Sequence, residues 1–189
     1  MARFAVTVYA GSRRGYPEAY GTLARELGRA VAGRGWVLVY GGANIGLMGA
    51  CADAALDAGG RVEGVILDTF ARVLHRRVES MEIVSNMRDR KASLAHRGDA
   101  FVVLPGAFGT LEELSEILVE RQLAIHRKPL VLLDPDGYWS PLRAQFETMV
   151  GTGLLEPEYL GVLDVVHDVP AAMAVIAAAA AARLPSPGG

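Results

Sequence analysis

From Arg3 to Val166 the chain keeps switching between short apolar runs and longer runs patterned for a helix. Arg3 to Tyr9, Trp36 to Tyr40, Arg61 to Leu67, Ala100 to Leu104 and Pro129 to Leu133 read as strands, with briefer ones over Glu82 to Val84 and Val162 to Val166. Between them, Tyr16 to Arg34 places Tyr20, Leu23, Leu27, Ala30 and Val31 along one helical face. Further helices are expected over Leu47 to Ala58 (stopped by Gly59-Gly60), Met87 to Arg97, Thr110 to Ile125 and Ser140 to Val150. Asp68 to Val78 reads as a short helix, and the alanine-rich run after Pro170 as a packed terminal helix. Such alternation leaves few folds open. It predicts an α/β chain: a single Rossmann-like domain, a parallel sheet with helices on both faces. The domain is expected to span residues 1–184, with Pro185-Ser-Pro-Gly-Gly189 a disordered tail.

Sheets of this kind bind ligands beyond the carboxyl ends of their strands, where the strand order reverses. The glycine-rich turns at 11–12, 41–49 and 105–110 all leave strand ends, so they are expected to converge on one crevice.

Composition narrows the ligand. With 19 basic and 21 acidic residues, nothing suggests a nucleic-acid polymer or a membrane surface as partner. The single cysteine, Cys51, excludes an internal disulfide and reads as a small buried hydrophobe. No apolar run reaches the roughly 18 residues of a membrane span, and Met1 to Tyr9 runs directly into a strand. A cytoplasmic protein is expected.

The most informative turn is Leu104-Pro-Gly-Ala-Phe-Gly-Thr-Leu-Glu-Glu113. Gly106 and Gly109 let backbone approach a ligand, and the following helix offers unpaired N–H groups suited to a phosphate. Glu113 then puts a carboxylate on the rim of an anion site. Thr110-Leu-Glu-Glu113 also fits a capping box, in which threonine and glutamate satisfy backbone N–H groups. Upstream, Met87, Arg90, Lys91 and Leu94 share one side of a helix. Arg90 could reach toward Glu113 and offset its repulsion from a phosphate; the alternative is an exposed salt-bridged face using Asp89. Gly41-Gly-Ala-Asn-Ile-Gly-Leu-Met-Gly49 only loosely fits a dinucleotide turn, and Gly11-Ser-Arg-Arg14 breaks that pattern at the first strand. A mononucleotide fits better. His75, His96, His126 and His167 are scattered, so no metal site is expected.

These motifs together resemble the Lonely Guy type phosphoribohydrolases, cytokinin-activating enzymes once labelled lysine decarboxylases. The resemblance runs from about Val8 to Val166. The family's PGGxGTxxE signature matches Pro105 to Glu113, and its arginine–lysine pair matches Arg90-Lys91 after Met87. Gly11-Ser12, Tyr40-Gly41-Gly42, Gly46-Leu-Met-Gly49, Gln122 to His126, Lys128-Pro129 and Asp136-Gly-Tyr138 match as well. The resemblance implies hydrolysis of the N-glycosidic bond of a nucleoside 5′-monophosphate, AMP or an N6-modified adenine nucleotide, to free base and ribose 5-phosphate. It implies Arg90 and Glu113 as catalytic residues and Gly106, Gly109 and Thr110 as the phosphate cradle. Gly11, Ser12, Gly41, Gly42, Met87, Lys91 and Pro105 complete the expected substrate contacts. No cofactor is implied, and a homodimer is. Ala43, Ala107, Arg88 and Glu120 depart from the family pattern and leave the preferred base open. A carrier that binds a nucleotide or cofactor without catalysis is the alternative on the same scaffold.

Overall fold

The strand Ala5–Tyr9 (β1) sends Val6 and Val8 to one side of the sheet and Ala5 and Tyr9 to the other, and all four are buried. Burial on both faces explains why these strands read as continuous apolar runs rather than alternating ones. In the computed structural model, which describes residues 3–183, β1 is followed by α1 (Glu18–Gly33), β2 (Val37–Tyr40), α2 (Gly46–Asp57), β3 (Arg61–Leu67), β4 (Ser80–Val84) and α3 (Met87–Arg97). Then come β5 (Ala100–Val103), α4 (Phe108–Gln122), β6 (Leu130–Leu133), α5 (Ser140–Gly151), β7 (Asp164–Val166) and α6 (Val169–Arg183). The strands form one seven-stranded sheet in the order β4-β3-β2-β1-β5-β6-β7, and every pairing is parallel. The α/β sheet expected from the sequence is therefore observed.

One core joins α1, α2 and α6 to the sheet through Leu27, Val31, Ala52, Ala55 and Ile176. The other packs Leu94 of α3 and Leu114 and Ile117 of α4 against Phe101, Leu130 and Leu132. Helices thus cover both faces. Thr7, the polar residue within β1, is satisfied by donating its hydroxyl to the Leu94 carbonyl at 2.9 Å. α1 and α2 approach so closely that a Cβ on Gly28 would lie 2.1 Å from the Cys51 carbonyl oxygen. Cys51 itself is buried, as expected.

The strand order reverses between β1 and β5, whose neighbouring ends lead into the turns at 11–12 and 105–107. The Gly11 N–H donates to the Pro105 carbonyl at 3.0 Å, tying the two turns together. Some boundaries differ from the sequence reading. The segment expected as a helix over 68–78 is a 3₁₀ turn, Asp68–Val73. Beyond it, Leu74 bridges Ala43 and the His75 N–H donates to the Gly42 carbonyl at 3.0 Å. That pairing ends the helix and straps the segment across the turn after β2. The expected tail, 185–189, lies outside the described residues.

Candidate functional site

Three strand-end turns meet, as the topology requires, around a cavity of about 620 Å³. Gly11 and Ser12 come from the turn after β1, Gly41 and Ala43 from the turn after β2, and Pro105, Gly106, Gly109 and Thr110 from the turn after β5. Met87, Arg90 and Glu113 complete the expected set. Gly42 and Lys91 are not brought in. A Cβ on Gly42, which has φ 77°, would meet Ile66 and Met81. Lys91 lies one step round α3 from Arg90 and pairs with Glu112 and Glu116 of α4.

Arg90 and Glu113 are almost fully enclosed, at 6% and 3% exposure. The guanidinium is held from three sides. Nη1 donates to Glu113 Oε1 at 2.8 Å, Nε to the Val65 carbonyl at 3.1 Å and Nη2 to the Gly41 carbonyl at 3.3 Å. A Cβ on Gly41 would sit 2.2 Å from that Nη2, so glycine at 41 makes room for the guanidinium. Glu113 Oε2 is buried without a hydrogen-bond partner. Burial pushes the Glu113 carboxyl up to about 7, against the opposing pull of Arg90's charge and hydrogen bond. A group poised there exchanges protons near neutral pH.

The capping-box reading of Thr110–Glu113 is corrected. α4 starts at Phe108 after Ala107, and no side chain caps it. Thr110 therefore lies inside the first turn, against Gly106, where a Cβ would come within 2.0 Å of its Oγ1. Glu113 is already past that turn and faces Arg90. The first backbone acceptor satisfied within α4 is Ala107, by the Leu111 N–H at 3.0 Å. The N–H groups ahead of Leu111 lack intrahelical partners by helix geometry, and the turn carrying them lines the cavity. The turn after β2 behaves differently. There the Gly11 carbonyl accepts the Leu47 and Met48 N–H groups at 2.8 and 3.3 Å, which closes the start of α2. Of these two helix starts, that of α4 is the one left open toward the cavity, and the dinucleotide resemblance of 41–49 has no open N–H cradle behind it.

Sequence reasoning missed part of the wall. Tyr16, Tyr20, Ile45, Phe70, Val73 and Tyr138 line the cavity with Arg13. Tyr138 had a usable signal, because it follows the end of β6 just as the other site turns follow theirs. Phe70 and Val73 had none, since their place depends on the strap over Ala43. Among the described residues, no group of three or more His, Cys, Asp or Glu side chains is placed to hold a metal ion. Nor is any helix there long and apolar enough to cross a membrane.

Fold and site define a doubly wound α/β protein with an uncapped helix N-terminus opening on a cavity at its switch point and a buried acid–guanidinium pair beside it. The family model described as possible lysine decarboxylase matches residues 48–176. A cytokinin riboside 5′-monophosphate phosphoribohydrolase of Rhodococcoides fascians is 42% identical over 174 residues, 90% of this chain and 88% of that protein. A probable enzyme of the same name from Oryza sativa subsp. japonica is 43% identical over 156 residues, covering 82% of this chain and 69% of that one. The chain belongs to this family, the Lonely Guy type phosphoribohydrolases that carry the older lysine decarboxylase label. Among solved structures, the molybdenum cofactor carrier protein of Chlamydomonas reinhardtii superposes with a TM-score of 0.73 at 22% identity, over 95% of this chain and 99% of that one. The molybdenum cofactor binding protein of Rippkaea orientalis gives 0.74 at 21% identity, over 94% and 98%. At that identity the likeness is one of fold.

Proposed function

We propose that this chain hydrolyses the N-glycosidic bond of a nucleoside 5′-monophosphate, AMP or an N6-modified adenine nucleotide, releasing base and ribose 5-phosphate. The observation that carries the reading is the free, buried Oε2 of Glu113, held by Arg90 beside an uncapped helix N-terminus. In this reading the 5′-phosphate takes the N–H groups at the start of α4, with Gly106, Gly109 and Thr110 as its cradle. Breaking the C1′–N bond builds positive charge on the ribose, and the Glu113 carboxylate stabilises it. Water adds to C1′ as the base leaves. One water proton passes to Glu113, and the departing base takes up one in exchange. Arg90 keeps Oε1 occupied and so fixes the direction of Oε2.

The old decarboxylase label fits poorly. Pyridoxal chemistry needs a lysine in the site, and the chain has two lysines, Lys91 and Lys128. Lys91 is engaged by glutamates on α4, Lys128 donates to the Ala95 carbonyl at 2.7 Å, and neither lines the cavity. A carrier role makes no use of an unpaired carboxylate oxygen next to an anion cradle.

A homodimer in the cytoplasm completes the proposal. The face assigned to the contact is the apolar groove of about 480 Å³ between α4, α5 and the segment 157–165, lined by Leu118, Val119, Phe146, Met149 and Leu160. Leu154 stands beside it at 83% exposure.

Incubation with AMP and with N6-isopentenyladenosine monophosphate tests the reaction. Free base and ribose 5-phosphate in equal amounts are expected. Tight binding of these nucleotides without turnover would select the carrier instead.

A further inference from the structure

We propose that Tyr138 is a positioning residue for the anion cradle, setting the direction of the peptide that joins Gly106 to Ala107. The inference rests on the phosphate reading of the α4 N-terminus. It starts from one contact: the Tyr138 hydroxyl donates to the Gly106 carbonyl at 2.7 Å. In a trans peptide the carbonyl and the next N–H point in opposite directions. Holding the Gly106 oxygen at Tyr138 therefore holds the Ala107 N–H on the far side of that peptide. If the peptide turned over, a carbonyl oxygen would stand where a donor stood, and an oxygen next to a phosphate repels it.

The neighbouring peptide is fixed in the same manner, because the Pro105 carbonyl accepts the Gly11 N–H at 3.0 Å. Two consecutive oxygens of the turn are thus each drawn to a donor outside it. The Ala107 carbonyl is likewise taken up, by the Leu111 N–H at 3.0 Å, which leaves the N–H groups ahead of Leu111 to face an anion.

The chain goes to some cost to place this phenol. Asp136 and Gly137 both adopt positive φ, 53° and 73°, in the turn that aims it. A non-glycine residue in that region is strained. The Trp139 N–H is then anchored on buried Asp134 at 2.7 Å. The Tyr138 ring packs edge-on against Trp139 and Tyr20, with centroids 4.8 and 5.7 Å away. These ring contacts do not involve the hydroxyl. Tyr138→Phe should therefore keep the ring in place and remove only the hydrogen bond to Gly106.

The test is calorimetric binding of ribose 5-phosphate and, separately, of adenine to the wild type and to Tyr138→Phe, with a thermal melt of each. Ribose 5-phosphate is expected to bind Tyr138→Phe about threefold to tenfold more weakly, the range one hydrogen bond is worth. Adenine affinity should stay unchanged, and the melting midpoint should fall by no more than the few degrees one hydrogen bond is worth. Equal weakening of both ligands, or a midpoint lowered by more than about 5 °C, would make Tyr138 a general structural residue and overturn the proposal. Unchanged ribose 5-phosphate binding would also overturn it. A wild type that binds adenine but not ribose 5-phosphate would instead remove the phosphate reading itself, and this inference with it.

Discussion

Glu113 sits in an environment that stabilises its protonated form, which has consequences for stability as well as for chemistry. Burial moves its carboxyl from 4.5 to about 7. Below pH 4.5 the group is protonated whether the chain is folded or not, so nothing is lost. Between 4.5 and about 7 the unfolded chain releases its proton while the folded one retains it, and stability falls as pH rises. The full difference corresponds to about 3 kcal/mol, reached above pH 7. Gln mimics the protonated acid and can still accept from Arg90. Glu113→Gln is therefore expected to melt higher than wild type at pH 8 and about equally at pH 4, as thermal denaturation at the two values will show. Equal melting at pH 8 would mean that the carboxylate is well solvated. The pairing of Arg90 with Glu113 could be anticipated from helix spacing and the order of strands. The room that glycine at 41 leaves for the guanidinium could not, because it depends on three segments distant in sequence.

At the scale of elements, helix ends were the part of the sequence most open to misreading. α3 was legible to the residue, since Asn86 caps it by accepting the Asp89 N–H at 2.9 Å, as a local signal should. α4 was not, because its N-terminus lacks a side-chain cap and the nearby Thr-x-x-Glu imitates one. An uncapped helix start facing a cavity leaves N–H groups that a ligand can satisfy. The opposite end of α4 closes with paired bonds, Ile125 N–H to Glu120 at 2.9 Å and Ala124 N–H to Arg121 at 3.1 Å. This is a Schellman arrangement, and it puts Ala124 at φ 55°, where glycine is favoured. Ala124→Gly is expected to stabilise the fold by up to about 1 kcal/mol, the relief of a left-handed residue less the entropy glycine loses. A rise of a few degrees in melting temperature would record it; a fall would mean that the alanine methyl makes a contact worth more than the strain.

For the molecule as a whole, strand order did most to make the site readable. Once the turns at 11–12, 41–49 and 105–110 are placed on carboxyl ends of parallel strands, their convergence follows. The strap from Asp68 to His75 and the turn at Tyr138 were less legible, because long-range pairing rather than local pattern brings them to the cavity. The apolar groove beside α4 was invisible to sequence for the same reason. If it joins two copies, light scattering will give twice the chain mass, and Leu154→Asp will shift the population toward monomer. A monomeric wild type would show that this face joins no second copy. In the proposed reaction Glu113 acts as a carboxylate at the sugar. The measurement that decides this role is kcat/KM for base release from AMP across pH 5–9, for wild type and Glu113→Gln. The wild-type value should rise through about pH 7, where the group ionises, and Glu113→Gln should lie at least about 100-fold below the wild-type plateau above pH 7 and show no such rise. A Glu113→Gln enzyme within twofold of wild type would contradict the assignment.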